Sequence, residues 1–278
     1  MKILCVVKRG VTFSHYRLIS DICKPNYSTS NKRATVDNEE IERLINFEWW
    51  GPTSPCLPLR SFNKIRVPFI MDGLAGNSSD KKTINPFADK KLLEVGSGGG
   101  ILAEALAAKG ANIIGIEPGQ ELVDVAQNHC DTNPDIADNK PKYICTTIEE
   151  HSEQYPDYYD AVVASEVIEH VLNQELFVEC CIRALKPGGR IFFTTQSRNF
   201  LAWFHHIYFL ENITKQIPKG THDYDKFITP KRLTRILGRY NCRVELVRGL
   251  MYYPWSDKWK WINYSHAYYA LQAIKLNK

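Results

Sequence analysis

The sequence predicts an α/β protein built on a mostly parallel, doubly wound sheet, and three observations support that prediction. Short apolar segments alternate with helix-like segments between residues 89 and 196. A glycine-rich turn follows the first apolar segment, and a Pro-Gly-Gly turn precedes the last. Strands that alternate with helices pair in parallel, because each crossover helix returns the chain to the same edge of the sheet.

The beginning of the chain differs in composition from the rest. Residues 1–35 contain seven lysines and arginines, several serines and threonines, and a single acid, Asp21. A basic, hydroxyl-rich, acid-poor leader is typical of a mitochondrial transit peptide, which we predict here, with a disordered basic tail as the alternative. The later apolar segments are shorter than the ~20 residues that a membrane-spanning helix needs.

The remaining composition argues against two other classes of protein. The net charge of +4 is small and the basic residues are scattered, which does not favour nucleic-acid binding. None of the eight cysteines forms a C-x-x-C pair, so the sequence predicts neither a zinc site nor the disulfide framework of a secreted protein.

Two helical segments are predicted ahead of the first strand. Residues 37–50 begin with Asp37, followed three residues later by Glu40, which is a capping-box pattern. Residues 58–74 form the second segment, in which Pro68 is a candidate kink.

These two segments make up an N-terminal helical region over residues 36–88, and the α/β domain is predicted over residues 89–278. Its predicted strands lie within 90–100, 111–119, 141–151, 159–165, 190–196 and 242–254, and its helices within 101–110, 120–130, 174–189 and 229–240. We expect one late strand to run antiparallel to the others. An aromatic-rich insertion near 199–228 is either a lid over a pocket or a helix that lies on a membrane surface.

The glycine-rich turn has the spacing G-x-G-x-G, at Gly96, Gly98 and Gly100. A dinucleotide-binding turn would place its third glycine at Ile101, so the spacing disfavours a dehydrogenase. Glu117 ends the second strand, where a carboxylate can accept hydrogen bonds from both hydroxyls of a ribose. The alternative is an exposed strand-end acid. Because glycine has no side chain, a ligand can approach the backbone, and here we expect the amino-acid part of S-adenosylmethionine.

A second polar cluster begins where the fourth strand ends. Within residues 165–170, Ser165 closes the strand, and Glu166, Glu169 and His170 follow. On a helix these three side chains would share one face. Ligands of parallel sheets bind at the carboxyl edge, so we predict that the cluster lies beside the cofactor. A divalent-ion site and a solvated helix start are both open.

Several sequence blocks together resemble the ubiquinone biosynthesis O-methyltransferases, from about residue 35 to the end of the chain. The blocks are FEWWGPTSPCLPLRSFNKIRVPFI, EVGSGGGILAEALAAKGANIIGIEPG, VVASEVIEHV, LKPGGRIFFTT, IPKGTHDYDKFITP and INYSHAYYALQ. RVPFI, ASEVIEH and PKGTH together are specific to this family, whereas the glycine turn is generic.

The resemblance implies a class I methyltransferase with a Rossmann-like fold. Such an enzyme transfers methyl groups from S-adenosylmethionine to ring hydroxyls of polyprenylated phenolic substrates. The resemblance also implies a peripheral protein on the matrix side of the mitochondrial inner membrane, in a complex with other ubiquinone biosynthesis enzymes. Another small-molecule methyltransferase and a catalytically idle scaffold of the same pathway are the alternatives.

The resemblance further implies which residues contact the cofactor. The family's positions match Arg66, Gly96, Glu117 and Ser165, to which the turn spacing adds Gly98. We expect Arg66 to form a bidentate pair with the cofactor carboxylate, with a surface helix arginine as the alternative.

The family's metal-associated positions match Glu166, Glu169 and His170. Mg²⁺ or another divalent ion held there would lower the pKa of the substrate phenol. These three residues and His222, in the PKGTH block, are the predicted catalytic residues. His222 is a candidate base, and a loop histidine that shapes the pocket is the alternative.

Overall fold

The structure is a computed structural model that describes residues 34–76, 85–197, 227–265 and 267–277. Most of the predicted transit peptide, residues 199–226 of the predicted insertion, and the candidate base His222 lie outside the described residues.

Helices cover both faces of one central sheet. The helices are α1 (Asn38–Ile45), α2 (Leu57–Ala75), α3 (Ile101–Ala107), α4 (Gln120–Thr132), α5 (Ile148–Gln154), α6 (Gln174–Ala184) and α7 (Pro230–Arg239). The strands are β1 (Lys91–Val95), β2 (Asn112–Glu117), β3 (Lys142–Cys145), β4 (Tyr159–Ser165), β5 (Leu185–Gln196), β6 (Cys242–Tyr253), β7 (Lys258–Ile262) and β8 (Tyr268–Lys275).

The strands lie in the order β3-β2-β1-β4-β5-β8-β6-β7. The first five strands pair in parallel. Strand β8 pairs antiparallel with both β5 and β6, and β7 pairs antiparallel with β6. Strand β6 is therefore parallel to β5. The predicted fold class is confirmed, but two late strands run antiparallel where we expected one, and neither β7 nor β8 was predicted as a separate strand.

Two further elements differ from the prediction. Helix α5 lies in a segment that was predicted as part of a strand, and Thr147 caps it by accepting a hydrogen bond from the amide of Glu150 at 3.2 Å. Strand β5 begins at Leu185, so the Pro-Gly-Gly turn lies inside the first residues of that strand. No described helix is long and apolar enough to cross a membrane.

The core forms on both faces of the sheet, because successive side chains of a strand point to opposite faces. Phe193 packs in the cluster that faces α6 and α7, together with Tyr269 and Leu271. Phe192, one residue earlier, packs in the cluster that faces α2 and α3. Side chains buried on both faces explain why the central strands are almost continuously apolar.

The N-terminal helices differ from the predicted details. Helix α1 begins after Asp37, but the predicted capping box is wrong, since the Asp37 side chain makes no capping hydrogen bond. The Glu40 side chain instead contacts Arg43 and His170. Helix α2 continues through Pro68 and packs on α3, β5 and β7.

Candidate active site

The glycine-rich turn connects β1 to α3 at the carboxyl edge of the sheet. Gly96, Gly98 and Gly100 have φ of +72°, +51° and +86°, in the left-handed region that favours glycine. The carbonyl of Ile116 on β2 holds the turn by accepting hydrogen bonds from the amides of Gly96 at 2.8 Å and Ser97 at 3.1 Å. The backbone therefore needs glycine at these positions, besides any need to admit a ligand.

Glu117 ends β2 beside this turn and is 5% exposed. Its carboxylate accepts hydrogen bonds from the amides of Gly98 at 3.1 Å and Gly119 at 3.2 Å. An exposed strand-end acid is therefore the wrong interpretation. Burial raises the pKa of Glu117 to about 7, although the two amide hydrogen bonds act to lower it. Each carboxylate oxygen can accept a second hydrogen bond, so the group is still able to bind a ligand.

Arg66 lies on the buried face of α2 and is 3% exposed, so the surface-arginine alternative is wrong. Its guanidinium donates hydrogen bonds to Ser165 Oγ at 2.7 Å, to Asn63 Oδ1 through two nitrogens, and to the carbonyl of Leu59 at 3.3 Å. A guanidinium has five N–H groups, so these contacts leave one available. The predicted bidentate pair with a cofactor carboxylate would require Arg66 to release a present partner.

The helix that the spacing of Glu166, Glu169 and His170 would fit does not form, because the chain turns sharply after β4. Glu166 has φ of +57°, and its amide donates to the carbonyl of Thr194 on β5 at 2.8 Å. The amide of His170 then closes a tight turn on the carbonyl of Val167 at 2.8 Å. A residue in the left-handed region cannot continue a right-handed helix, so the expected i, i+3, i+4 face does not form.

The three polar side chains of this turn consequently point to different partners. Glu169 is 3% exposed and accepts a hydrogen bond from Thr195 Oγ1 at 2.8 Å. His170 Nδ1 lies 2.7 Å from Glu40 Oε1 on α1. Glu166 is half-buried, and its Oε1 has no hydrogen-bond partner among the described residues. A solvated helix start is therefore also wrong.

These partners have electrostatic consequences. Burial acts to raise the pKa of Glu40, but His170 and Arg43 lower it to about 2. Burial acts to lower the pKa of His170, but the hydrogen bond to Glu40 and the nearby carboxylates raise it. Burial, and then the neighbouring Glu169 carboxylate, raise the pKa of Glu166.

The described part of the chain contains no group of three histidine, cysteine or acidic side chains arranged to hold a metal ion. Glu166 and Glu169 each keep one buried oxygen without a hydrogen-bond partner there. The His170 ring, however, is engaged with Glu40. As arranged, the three residues do not fit a divalent ion, and the predicted metal site gains no support from this geometry.

One cavity of about 590 Å³ connects the groups described so far, a size typical of small-molecule sites. The predicted residues that line it are Arg66, Gly96, Gly98, Glu117, Ser165, Glu166 and His170, whereas Glu169 does not line it. The cavity lies at the carboxyl edge of the sheet, where ligands of parallel α/β proteins bind.

Sequence reasoning missed Glu94, which lines the same cavity near the end of β1. Glu94 is 4% exposed, and its Oε2 has no hydrogen-bond partner among the described residues. Burial raises the pKa of Glu94 to about 8, against the lowering effect of Arg66. An acid just before a glycine turn resembles Glu117 in its setting, and that signal could have identified it.

The Trp pair that follows α1 was also not assigned a role. A Cβ on Gly98 or Gly99 would meet the ring of Trp49, so this ring packs directly on the glycine turn. Trp50 Nε1 donates to the carbonyl of Gly99 at 2.8 Å, and its ring stacks on His129 with centroids 3.4 Å apart. The Trp pair therefore covers the glycine turn.

Comparison with known proteins adds sequence relatives. A methyltransferase domain family matches residues 70–247. The mitochondrial ubiquinone biosynthesis O-methyltransferase of Rattus norvegicus is 39% identical over 254 residues, which cover 91% of this chain and 72% of that protein. The Homo sapiens protein of the same name is 39% identical, with 90% and 67% covered. The ubiquinone biosynthesis O-methyltransferase of Photorhabdus laumondii is 36% identical, with 84% and 92% covered.

Solved structures resemble the chain in fold. Magnesium protoporphyrin IX methyltransferase of Synechocystis PCC 6803, with bound SAH, has a TM-score of 0.54 at 16% identity, covering 86% of this chain and 93% of that one. A SAM-dependent methyltransferase from Aquifex aeolicus has a TM-score of 0.53 at 13% identity, covering 87% and 100%. The fold is therefore that of the class I S-adenosylmethionine-dependent methyltransferases.

Proposed function

Because the chain belongs to the family of ubiquinone biosynthesis O-methyltransferases, we propose that it transfers a methyl group from S-adenosylmethionine to a ring hydroxyl of a polyprenylated phenol. The observation that supports this most is the convergence of the glycine turn, Glu94, Glu117 and Ser165 on one cavity. The glycine turn lets a ligand approach the backbone closely. The two buried carboxylates can accept hydrogen bonds from hydroxyl and ammonium groups of that ligand.

Each site residue would bind a different part of the cofactor. Glu117 would accept hydrogen bonds from the ribose hydroxyls, in addition to the amide bonds that fix its position. Glu94 would face the ammonium group, since Glu94 lines the cavity and its Oε2 has no hydrogen-bond partner among the described residues. Arg66 would hold Ser165 in place and reach the cofactor carboxylate with its remaining N–H.

Bound S-adenosylmethionine supplies an electrophilic methyl group on a sulfonium, which is a good leaving group. The chain's own residues would then contribute alignment and exclusion of water, since methyl transfer needs the donor and acceptor in line. Trp49 and Trp50 would exclude water from above the glycine turn.

Calorimetric binding of S-adenosylmethionine tests this proposal. We expect Glu117→Ala to weaken binding by about tenfold or more, because hydrogen bonds to a charged group contribute about 1.5–3 kcal/mol each. Glu121→Ala is the matched control, since Glu121 is exposed on the following helix. Absence of binding by the wild-type chain, or equal affinity of the two variants, would contradict the proposal.

Dependence on Mg²⁺ or another divalent ion stays a prediction from the resemblance. It would require Glu40 to release His170, because that ring is now engaged. Turnover measured with and without a chelator, on the wild type and on Glu169→Ala, tests it. A dependence on Glu166, Glu169 and His170 as ligands predicts a large loss for both treatments, and unchanged turnover with chelator would exclude it.

A mitochondrial location is supported by the mammalian relatives, whose names describe them as mitochondrial. We propose further that the protein acts on the matrix side of the inner membrane, as a peripheral protein in a complex with other ubiquinone biosynthesis enzymes. Trp255, which is 79% exposed, is a candidate membrane contact.

A further inference from the structure

The cavity extends beyond the predicted cofactor residues, onto the other half of the sheet. Tyr252, Trp259 and Tyr268 line this second half, and we call these three rings the acceptor wall. They come from β6, β7 and β8, whereas the predicted cofactor residues Gly96 and Glu117 follow β1 and end β2. Strand β4 lies between the two groups in the order of the sheet.

The geometry points to the acceptor wall as the binding site for the aromatic ring of the methyl acceptor, an inference that rests on the function proposed above. Ser165 at the end of β4 pairs with Thr194 on β5, and β8 is the next strand. An acceptor ring on the acceptor wall would thus lie across β5 from the cofactor residue Ser165.

A hydrogen bond and several ring contacts hold the acceptor wall in place. Trp259 Nε1 donates to the carbonyl of Pro58 at 2.9 Å, and its ring stacks on Phe62 with centroids 4.3 Å apart. Its centroid lies 5.0 Å from that of Tyr252 and 5.1 Å from that of Tyr268. Aromatic rings at these separations attract one another, and a phenolic ring can add to such a cluster in the same way. A preformed cluster binds a ring with little loss of side-chain entropy.

Asp257 is a positioning residue for this cluster. It has φ of +45°, and its Oδ1 accepts hydrogen bonds from Ser61 Oγ at 2.7 Å and Tyr252 Oη at 3.0 Å. The first bond ties the β6–β7 turn to α2, and the second fixes the Tyr252 ring. Asparagine can accept both hydrogen bonds through its amide oxygen, whereas alanine accepts neither.

Steady-state kinetics at saturating S-adenosylmethionine, with a short-chain prenylated dihydroxybenzoate as the acceptor, tests the inference. We expect Trp259→Leu to raise the acceptor KM about three- to tenfold, the size of one lost aromatic contact, while the Kd for S-adenosylmethionine changes less than about twofold. Trp255→Leu, in the turn just before β7, is the matched control and should change neither value, because a soluble short-chain acceptor needs no membrane contact. Asp257→Ala should raise the acceptor KM, and Asp257→Asn should restore it.

Two outcomes would overturn the inference. One is an unchanged acceptor KM in folded Trp259→Leu, and the other is an equal rise in the Kd for S-adenosylmethionine. If Trp259→Leu does not fold, Trp259→Phe keeps a ring, and acceptor binding should then lose the tryptophan fluorescence change that it causes in the wild type. A change of the same size in Trp259→Phe would also overturn it. The tryptophan fluorescence change on acceptor binding is measured without S-adenosylmethionine, so this result is separate from a failure to bind that cofactor.

Discussion

Replacing Arg66 by methionine tests whether the buried guanidinium organises the candidate site. Methionine keeps much of the apolar stem but removes every hydrogen bond to Ser165, Asn63 and Leu59. Hydrogen bonds to a charged group contribute about 1.5–3 kcal/mol each. Burying the charge costs free energy, which is why burial lowers the pKa of Arg66 to about 10, and methionine removes that cost. We therefore expect a net loss of about 3 kcal/mol, near the lower end for breaking a buried charge contact.

Thermal unfolding near neutral pH measures this loss. For a domain of this size, about 3 kcal/mol corresponds to a fall in Tm of about 6–12 °C. Arg60→Met on the same helix is the matched control, because Arg60 is exposed, and we expect it to cost no more than about 0.5 kcal/mol. Calorimetry should also show weaker binding of S-adenosylmethionine by Arg66→Met alone. Equal stability of the two variants would refute the reasoning.

Three further predictions concern the glycine turn and its surroundings. Gly98→Ala should unfold at a lower temperature than Gly188→Ala, because both positions have positive φ but only an added Cβ at Gly98 meets Trp49. Burial raises the pKa of Glu94 from 4.5 to about 8, so the folded state keeps a proton that the unfolded chain loses, and stability should fall as pH rises through that interval. The free energy of unfolding, measured with urea at several pH values in this range, should fall less steeply with pH for Glu94→Gln than for the wild type. An equal dependence on pH would contradict the raised pKa of Glu94. Trp50→Leu should raise the calorimetric Kd for S-adenosylmethionine with a smaller effect on kcat, since its ring holds the glycine turn.

The sequence predicted the parallel half of the sheet because that half obeys local rules. Apolar strands, tight turns and helices follow one another there. Later in the chain Thr229 caps α7 ahead of Pro230, accepting a hydrogen bond from the amide of Arg232 at 3.2 Å, which is a helix start that local rules also describe. Strand β7 alternates lysine and tryptophan with a period of two, but it is only five residues long, whereas β8 is almost continuously buried and has no clear period of two. Their strand character depends on pairing with β5 and β6, which no local pattern reports.

The polar turn after β4 shows a different limit of sequence reasoning. Its spacing fits a helix, but glutamate in the left-handed region is uncommon, and nothing in the sequence marks Glu166 for it. The conformation is accompanied by a long-range hydrogen bond from the Glu166 amide to Thr194. The partners of the side chains are also far away along the sequence, since Glu169 accepts a hydrogen bond from Thr195 and His170 contacts Glu40. Their position after β4 predicted that the cluster lies beside the cofactor, and Glu166 and His170 do line the cavity whereas Glu169 does not. The sequence could not predict where each side chain points.

The N-terminal region connects these features, because it supplies contacts to both halves of the candidate site. Glu40 on α1 pairs with His170 in the turn after β4, and Trp50 donates to the carbonyl of Gly99 in the glycine turn. Thr35 accepts a hydrogen bond from the amide of Leu172 at 2.9 Å, which anchors the start of the described chain to the same turn. A region predicted from sequence as a separate helical segment is thus part of the site's cover. Changes in residues 34–50 of this region should alter ligand binding before they alter the central sheet, whereas α2 packs on β5 and β7 and supports the sheet itself.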